Sequence, residues 1–424
     1  MAVFVRRDSA GGFSSATRRT CVVFAVLALT YFAYTWIQQP TRPFASAITE
    51  RVPALDHASA RTKARFGWYG MWFDQSYYRG IAQSLADGHL PTDPSANPRR
   101  PFVSPPPQRN AYIYGLGYPL LGVPFIWLGL RGDPFVVPDA ILFCLAAVLM
   151  LRFATRILGP GWGMAATAFV VFGSGFVRFF AVPWSTSLTV IAVLATADAL
   201  TSTEDSWTSA VLVGTSLALC GIARMLDALW PALVLVVVLA TTYRTRPRLI
   251  AVTAACGVAA VAIMLTTQAI VFGHPFTTPY SFHDFGRGAS LSAFDFSAVP
   301  RRFVDVFLLA RNGTRVSEAY DPILRAVPAL FLVPLGMFGL RRSNRRRLVL
   351  WALLIASAIA TLMNLAWFAG GGGDIIYSNA RFWIAWFPVW TVIGLIALQR
   401  LLRFEPQDLR AASSSSEAIP KPSG

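Results

Sequence analysis

The stretch "LIAVTAACGVAAVAIMLTTQAIVF", residues 249–272, runs its full length without a charged residue. A helix needs roughly 20 apolar residues to cross the hydrocarbon core of a bilayer, so this stretch predicts a membrane span. Similar runs recur on both sides of it, beginning with "CVVFAVLALTYFAYTWI" at 21–37. Length and hydrophobicity place spans at 21–38, 137–153, 161–180, 185–201, 207–223, 226–243, 249–272, 325–340, 347–367 and 383–400. Composition agrees: 55% of the 424 residues are hydrophobic and 14% charged, where soluble domains carry about 25% charged residues. The expected fold class is an all-α polytopic membrane protein with about ten transmembrane helices.

The net charge of +16 would also suit a nucleic-acid binder. Its arginines, however, gather between apolar runs, where membrane topology demands them. They fall at Arg152 and Arg156, in "RTRPR" at 244–248, in "RRSNRRR" at 341–347, and four times in the first twenty residues. With all of these on the cytoplasmic side the ten spans alternate consistently and both termini are cytoplasmic. The expectation is a multi-pass protein of the cell membrane, embedded in lipid, with no nucleic-acid partner. The N-terminal run lacks a small-residue cleavage pattern and reads as an uncleaved first span.

One apolar segment breaks the alternation. "YIYGLGYPLLGVPFIWLGL" at 112–130 holds Pro119, Pro124 and four glycines. It is expected to be re-entrant or interfacial, with an ordinary span as the alternative. Residues 1–20 then form a cytoplasmic N-terminus, 21–404 the transmembrane domain, and 405–424 a disordered cytoplasmic tail. Three polar regions face outward, at 39–111, 273–324 and 369–381. Cys21, Cys144, Cys220 and Cys256 lie in or beside apolar runs without CxxC spacing and read as structural thiols.

The first outer region ends in "GMWFDQSYYRGIAQSLADGH", residues 70–89. Tyr77, Ile81 and Leu85 recur every four residues, which predicts a short amphipathic helix on the membrane face, stopped by Gly88. Asp74 stands at its start among Trp72, Phe73 and Tyr77. It is either the helix cap or a general base in a low-dielectric setting.

The order of four motifs resembles the GT-C superfamily of polyprenyl-phosphate-sugar-dependent glycosyltransferases, which includes the protein mannosyltransferases. They are "WFDQSYYRGIAQSLADGHLP", "YGLGYPLLGVPFIWL", "FGHPFTTPYSFHDF" and "GGGGDIIYSNARFWIAWFPVW". The resemblance implies that Asp74 is the catalytic base. It also implies transfer of a sugar, mannose or arabinose, from a polyprenyl-phosphate donor to a glycan, lipid or protein acceptor of the cell envelope. The family often carries a second acidic residue beside the first. Gln75 stands there instead, which weighs against a metal-assisted version.

Independently, displacement of a lipid phosphate needs a base for the acceptor hydroxyl and fixed positive charge for the leaving group. Arg381, at the foot of the glycine-rich outer region, is the first candidate for that charge, followed by Arg178 and Arg79. A snorkelling arginine is the alternative for Arg381. Arg224 is read instead as the ion-pair partner of Asp227, three residues on. Trp72, Tyr77, His283 and Tyr377 are candidate substrate contacts. His274, His283 and Asp284 match no zinc spacing, so no metal is expected and a divalent cation has no support. The rival reading is a non-enzymatic membrane protein, either a sugar-lipid flippase or transporter or an inactive GT-C scaffold. Transporters show paired, interrupted helices in two related halves; here the polar residues gather on one side.

Overall fold

The computed structural model describes residues 15–38, 73–88, 90, 115–129, 133–181, 184–242, 245–276, 294–309, 311–312, 315–316, 323–338, 345–367 and 382–403. These are helical apart from turns and a two-residue antiparallel ladder, β1 (Arg311–Asn312) with β2 (Arg315–Val316). Among the described residues five helices are long and apolar enough to cross a membrane. They are α1 (Ser15–Gln38), α4 (Val136–Leu158), α10 (Pro247–Phe272), α14 (Arg345–Trp367) and α15 (Phe387–Arg403) with the 3-10 turn Ile384–Trp386 before it. The chain is a helical membrane protein.

The remaining helices are shorter. They are α2 (Phe73–Ala86), α3 (Pro119–Trp127), α5 (Pro160–Ala168), α6 (Arg178–Ala181), α7 (Thr186–Thr201), α8 (Trp207–Ala223), α9 (Met225–Thr242), α11 (Val299–Phe303), α12 (Ile323–Ala326) and α13 (Val333–Phe338). At the centre is α7, every residue of which is buried. A helix apolar all round belongs inside a bundle, and α4, α8, α9 and α14 all pack on α7. At the periphery α10 packs along α8 and leaves Val258, Val261 and Ile270 exposed, as a lipid-facing helix should.

Two sequence expectations change in detail, and a third is specified further. The span expected at 161–180 is interrupted: α5 passes into a π turn at Phe169–Gly173, and the chain bends before α6. Gly175 supplies the left-handed φ of +72° that the bend needs. The span expected at 325–340 comes as α12, a 3-10 turn at Pro328–Leu332, and α13. Pro328 and Pro334 lack the N–H that a continuous α-helix would use. In the segment 112–130, α3 has nine residues, about 14 Å at 1.5 Å per residue, too short to cross the hydrocarbon core. The predicted amphipathic helix is present as α2. Its end is fixed by the Gly88 amide, which donates to Leu85 O at 3.1 Å with φ of +86°.

Side-chain contacts define two ends of the bundle. At one, Tyr78 meets Ser185, Thr189 meets Asp227, and Arg224 meets Phe382. At the other, Arg152 and Arg156 meet Asp198, Arg346 meets the Arg156 carbonyl, and Gln399 meets the Leu158 carbonyl.

Between these ends α15 crosses the 328–338 segment with backbones in contact. A Cβ on Gly336 would stand 2.3 Å from Ile393 O, and one on Gly394 2.2 Å from Ala329 O. Small residues permit this approach in membrane helices. Gly394→Ala is expected to lower stability by about 2 kcal/mol, because backbone must move. Gly161→Ala, with open space around it, should be neutral or mildly stabilising. Thermal unfolding of the detergent-solubilised pair checks this.

Candidate functional site

The contacts that fix α2 form a small polar core inside an apolar shell. Tyr118 ends the turn that leads into α3, and its hydroxyl lies 2.8 Å from both Oδ1 and Oδ2 of Asp139. Asp139 sits in the first turn of α4 and is 2% exposed. Burial of a carboxylate is costly unless a donor accompanies it, and the Tyr118 hydroxyl is that donor. The Tyr118 ring stacks on Phe135 at 4.9 Å and meets the Tyr78 ring edge-on at 5.0 Å. Tyr78 projects from α2, and its hydroxyl bonds Ser185 Oγ at 2.8 Å, just before α7. Thus α2 is tied to the start of the central helix, with Tyr118 wedged beneath.

The turn carrying Tyr118 is pressed onto the C-terminal end of α8. A Cβ on Gly115 would stand 2.0 Å from Ile222 O, and one on Gly117 2.2 Å from Leu219 O. Only glycine permits that closeness, which explains "GLG" before Tyr118. On the far side of α2, the Trp127 indole donates to Ala86 O at 2.9 Å and closes the α2–α3 pair.

A second polar node continues from Ser185. One turn on, Thr189 Oγ1 donates to Asp227 Oδ2 at 3.2 Å, and Asp227 forms an ion pair with Arg224. Arg224 occupies the break between α8 and α9, and its amide donates to Cys220 O at 2.6 Å. Its guanidinium carbon lies 5.2 Å from the Phe382 ring centroid, within cation–π range. The sequence reading of Arg224 as Asp227's partner matches this geometry.

A third group anchors the outgoing end of α14. Arg302 Nη1 donates to Leu365 O and Ala366 O at 2.7 and 2.9 Å. The Asp295 amide donates to Ala366 O at 3.0 Å, and Asp295 faces Arg302 at 3.6 Å. The Ser297 hydroxyl beside Asp295 holds its carboxyl below the ordinary carboxylate range, with Arg302 assisting. The region 369–381 starts a few residues beyond this clasp.

The predicted site residues distribute unevenly over this frame. Asp74, Tyr77 and Arg79 lie on α2, with Asp74 inside its first turn and not at a cap position preceding it; their side chains lie outside the described residues. Arg178 opens α6, which packs on α1, α4 and α7; its side chain also lies outside the described residues. Trp72, His283, Tyr377 and Arg381 lie outside them altogether. The face of α2 that meets the bundle uses Tyr78, Ile81 and Ala82, all at most 2% exposed. Sequence reading missed Tyr78, Tyr118, Asp139, Ser185 and Thr189. A signal existed for Asp139, a lone carboxylate at the start of an apolar run.

Among the described residues no group of three His, Cys, Asp or Glu converges as a metal site. No family model, curated protein or solved structure matches the chain, so what the site does is argued from its residues.

Tyr118→Phe is expected to destabilise the solubilised protein by about 2 kcal/mol, because it strips the donor from a buried carboxylate. Tyr78→Phe, which breaks a neutral hydroxyl pair, should cost about 1 kcal/mol. Thermal unfolding of the two variants, compared with the parent, measures the difference.

Proposed function

We propose that this protein is a GT-C-type membrane glycosyltransferase that moves a sugar, mannose or arabinose, from a polyprenyl-phosphate carrier to a cell-envelope acceptor. In this reading ten spans place both termini in the cytoplasm and the site at the outer membrane surface. The observation that carries it is the tether of α2: Tyr78 to Ser185, with Tyr118 on Asp139 below. Position 74 is one helical turn before Tyr78 and shares its face of α2. A carboxylate there stands at the same end of the bundle as the starts of α7 and α9 and as Phe382, which follows Arg381 in the chain.

The chemistry is an inverting displacement. Asp74 takes the proton from the acceptor hydroxyl as that oxygen bonds to the anomeric carbon. The bond from the anomeric carbon to the phosphate oxygen breaks, and polyprenyl phosphate leaves with the electron pair. Arg381, with Arg178 and Arg79, balances the charge that grows on the phosphate, a role for which the planar guanidinium fork is suited. Trp72, Tyr77, His283 and Tyr377 supply faces and donors for the sugar. No metal is required by this scheme.

Support also comes from the asymmetry of the molecule. Hydroxyl, carboxylate and aromatic groups collect at one end, while the other end is an arginine clasp on α4 and α7. Surface chemistry fits that division better than passage through the bilayer does.

Asp74→Asn keeps the shape of the side chain and removes the base. Transfer from a radiolabelled polyprenyl-phosphate sugar is expected to fall by about a hundredfold or more, with the unfolding midpoint unchanged. Undiminished transfer by that variant removes Asp74 from the mechanism and leaves it a residue of the first turn of α2.

A further inference from the structure

Part of the region 273–324, read from sequence as polar and outward-facing, carries an apolar surface. The chain there runs through a 3-10 turn (Phe296–Ala298), α11 and a π turn (Val304–Leu309). Its inner side is fixed by aromatic packing. Phe307 is 2% exposed, meets the Trp383 ring edge-on at 5.6 Å and lies 6.1 Å from the Trp390 ring. Phe303 stacks on Phe307 at 4.7 Å. Yet Phe296, Phe303, Val304 and Leu308 are each more than a third exposed. Phe303 and Val304 stand one turn before Leu308, so the three share a side of the segment. Single exposed apolar residues are ordinary, but a run of them on one side marks a contact.

The attachment of the segment identifies what it touches. Arg302 of α11 donates to the carbonyls of Leu365 and Ala366, and the Asp295 amide donates to Ala366 O. Ala366 is the last residue of the membrane-spanning stretch of α14. The clasp therefore holds the segment at the level where α14 leaves the hydrocarbon. Its neighbours on both flanks face lipid. On one, α14 exposes Ile355, Ile359 and Leu362. On the other, the π turn packs on α12, and the chain beyond α12 exposes Phe331, Leu335 and Phe338. The segment is not itself a span. Even as one straight helix, 296–309 would reach about 21 Å at roughly 1.5 Å per residue, short of the roughly 30 Å hydrocarbon core. Arg301 extends from the same turn as Arg302, its side chain 82% exposed, with Asp305 at 3.9 Å. A long basic side chain beside apolar residues reaches for the polar headgroups.

We propose that the segment 296–309 is an interfacial anchor, lying in the headgroup layer of the bilayer at the end of α14. Phe303, Val304 and Leu308 rest against acyl chains, and Arg301 lies among lipid phosphates. Partial burial at the headgroup–acyl boundary is the usual posture of a short element with such a face. The anchor does not depend on Asp74 or on the reaction proposed above. Through Phe307 it braces Trp383 and Trp390 at the start of α15.

The test uses the full-length protein in phosphatidylcholine nanodiscs, with the photoreactive residue p-benzoylphenylalanine placed at position 303 or 308. After irradiation, mass spectrometry is expected to show a protein heavier by one phospholipid for each variant. A cross-linked dimer, a link within the chain, or a lipid adduct missing at either position overturns the anchor. A second pair of variants covers the case in which a photoreactive variant does not fold. Leu308→Asn places a polar group on the proposed lipid face and should lower the unfolding midpoint in the same discs by several degrees. Leu308→Met keeps the face apolar and should match the parent. An unchanged or raised midpoint for Leu308→Asn means that water, not lipid, meets this surface, and overturns the proposal.

Discussion

The Tyr118 hydroxyl on the Asp139 carboxylate is the contact on which one end of this molecule depends. A buried carboxylate at the head of a membrane helix stands at a free-energy maximum unless a donor meets it. Tyr118 can supply that donor because Gly115 and Gly117 bring its turn against the carbonyls of α8. Once Tyr118 is fixed, its ring gives Tyr78 an edge-on surface, and Tyr78 in turn carries α2 to Ser185. An amphipathic helix that would otherwise lie loosely on the lipid surface is thereby fastened to the central helix. The position of residue 74 on α2 follows from this sequence of contacts.

The central helix α7 links the two ends. Its beginning takes hydroxyl contacts: Ser185 with Tyr78, and Thr189 with Asp227. Its end holds Asp198 under two arginines and has its last carbonyls covered by Arg246. The fully buried stretch between contributes packing and no net charge. The helix therefore has hydroxyl contacts at its start and a charged clasp at its end.

Much of this was legible in the sequence, and the reasons differ from element to element. The run at 249–272 needed no context, because a bilayer selects for length and hydrophobicity alone; it appears as α10. Gly88 was legible as a stop because left-handed backbone has a residue preference. The Arg224–Asp227 pair was legible because three-residue spacing on a helix is local geometry. Where tertiary contact decides, the reading failed. Tyr78 and Ser185 are 107 positions apart, and no local pattern pairs them. Tyr118 and Asp139 are 21 positions apart and share no pattern that pairs them. The breaks at Gly175 and Pro328 divide segments that hydrophobicity alone reads as continuous spans. As for the site, Trp72, His283, Tyr377 and Arg381 remain sequence candidates, outside the described residues.

The central claim is that the tethered α2 helix holds its carboxylate beside a lipid-phosphate pocket at the Phe382 end of the bundle. The most direct measurement is a cryo-electron microscopy structure with a non-hydrolysable polyprenyl-phosphonate sugar bound. The account predicts the phosphonate within hydrogen-bond reach, about 3 Å, of Arg381 or of Arg178 or Arg79, and the Asp74 carboxylate on the opposite side of the anomeric carbon. A ligand seated at the Arg152–Asp198 end, or one whose anomeric carbon is walled off from Asp74 by the Tyr78–Tyr118 pair, would contradict it.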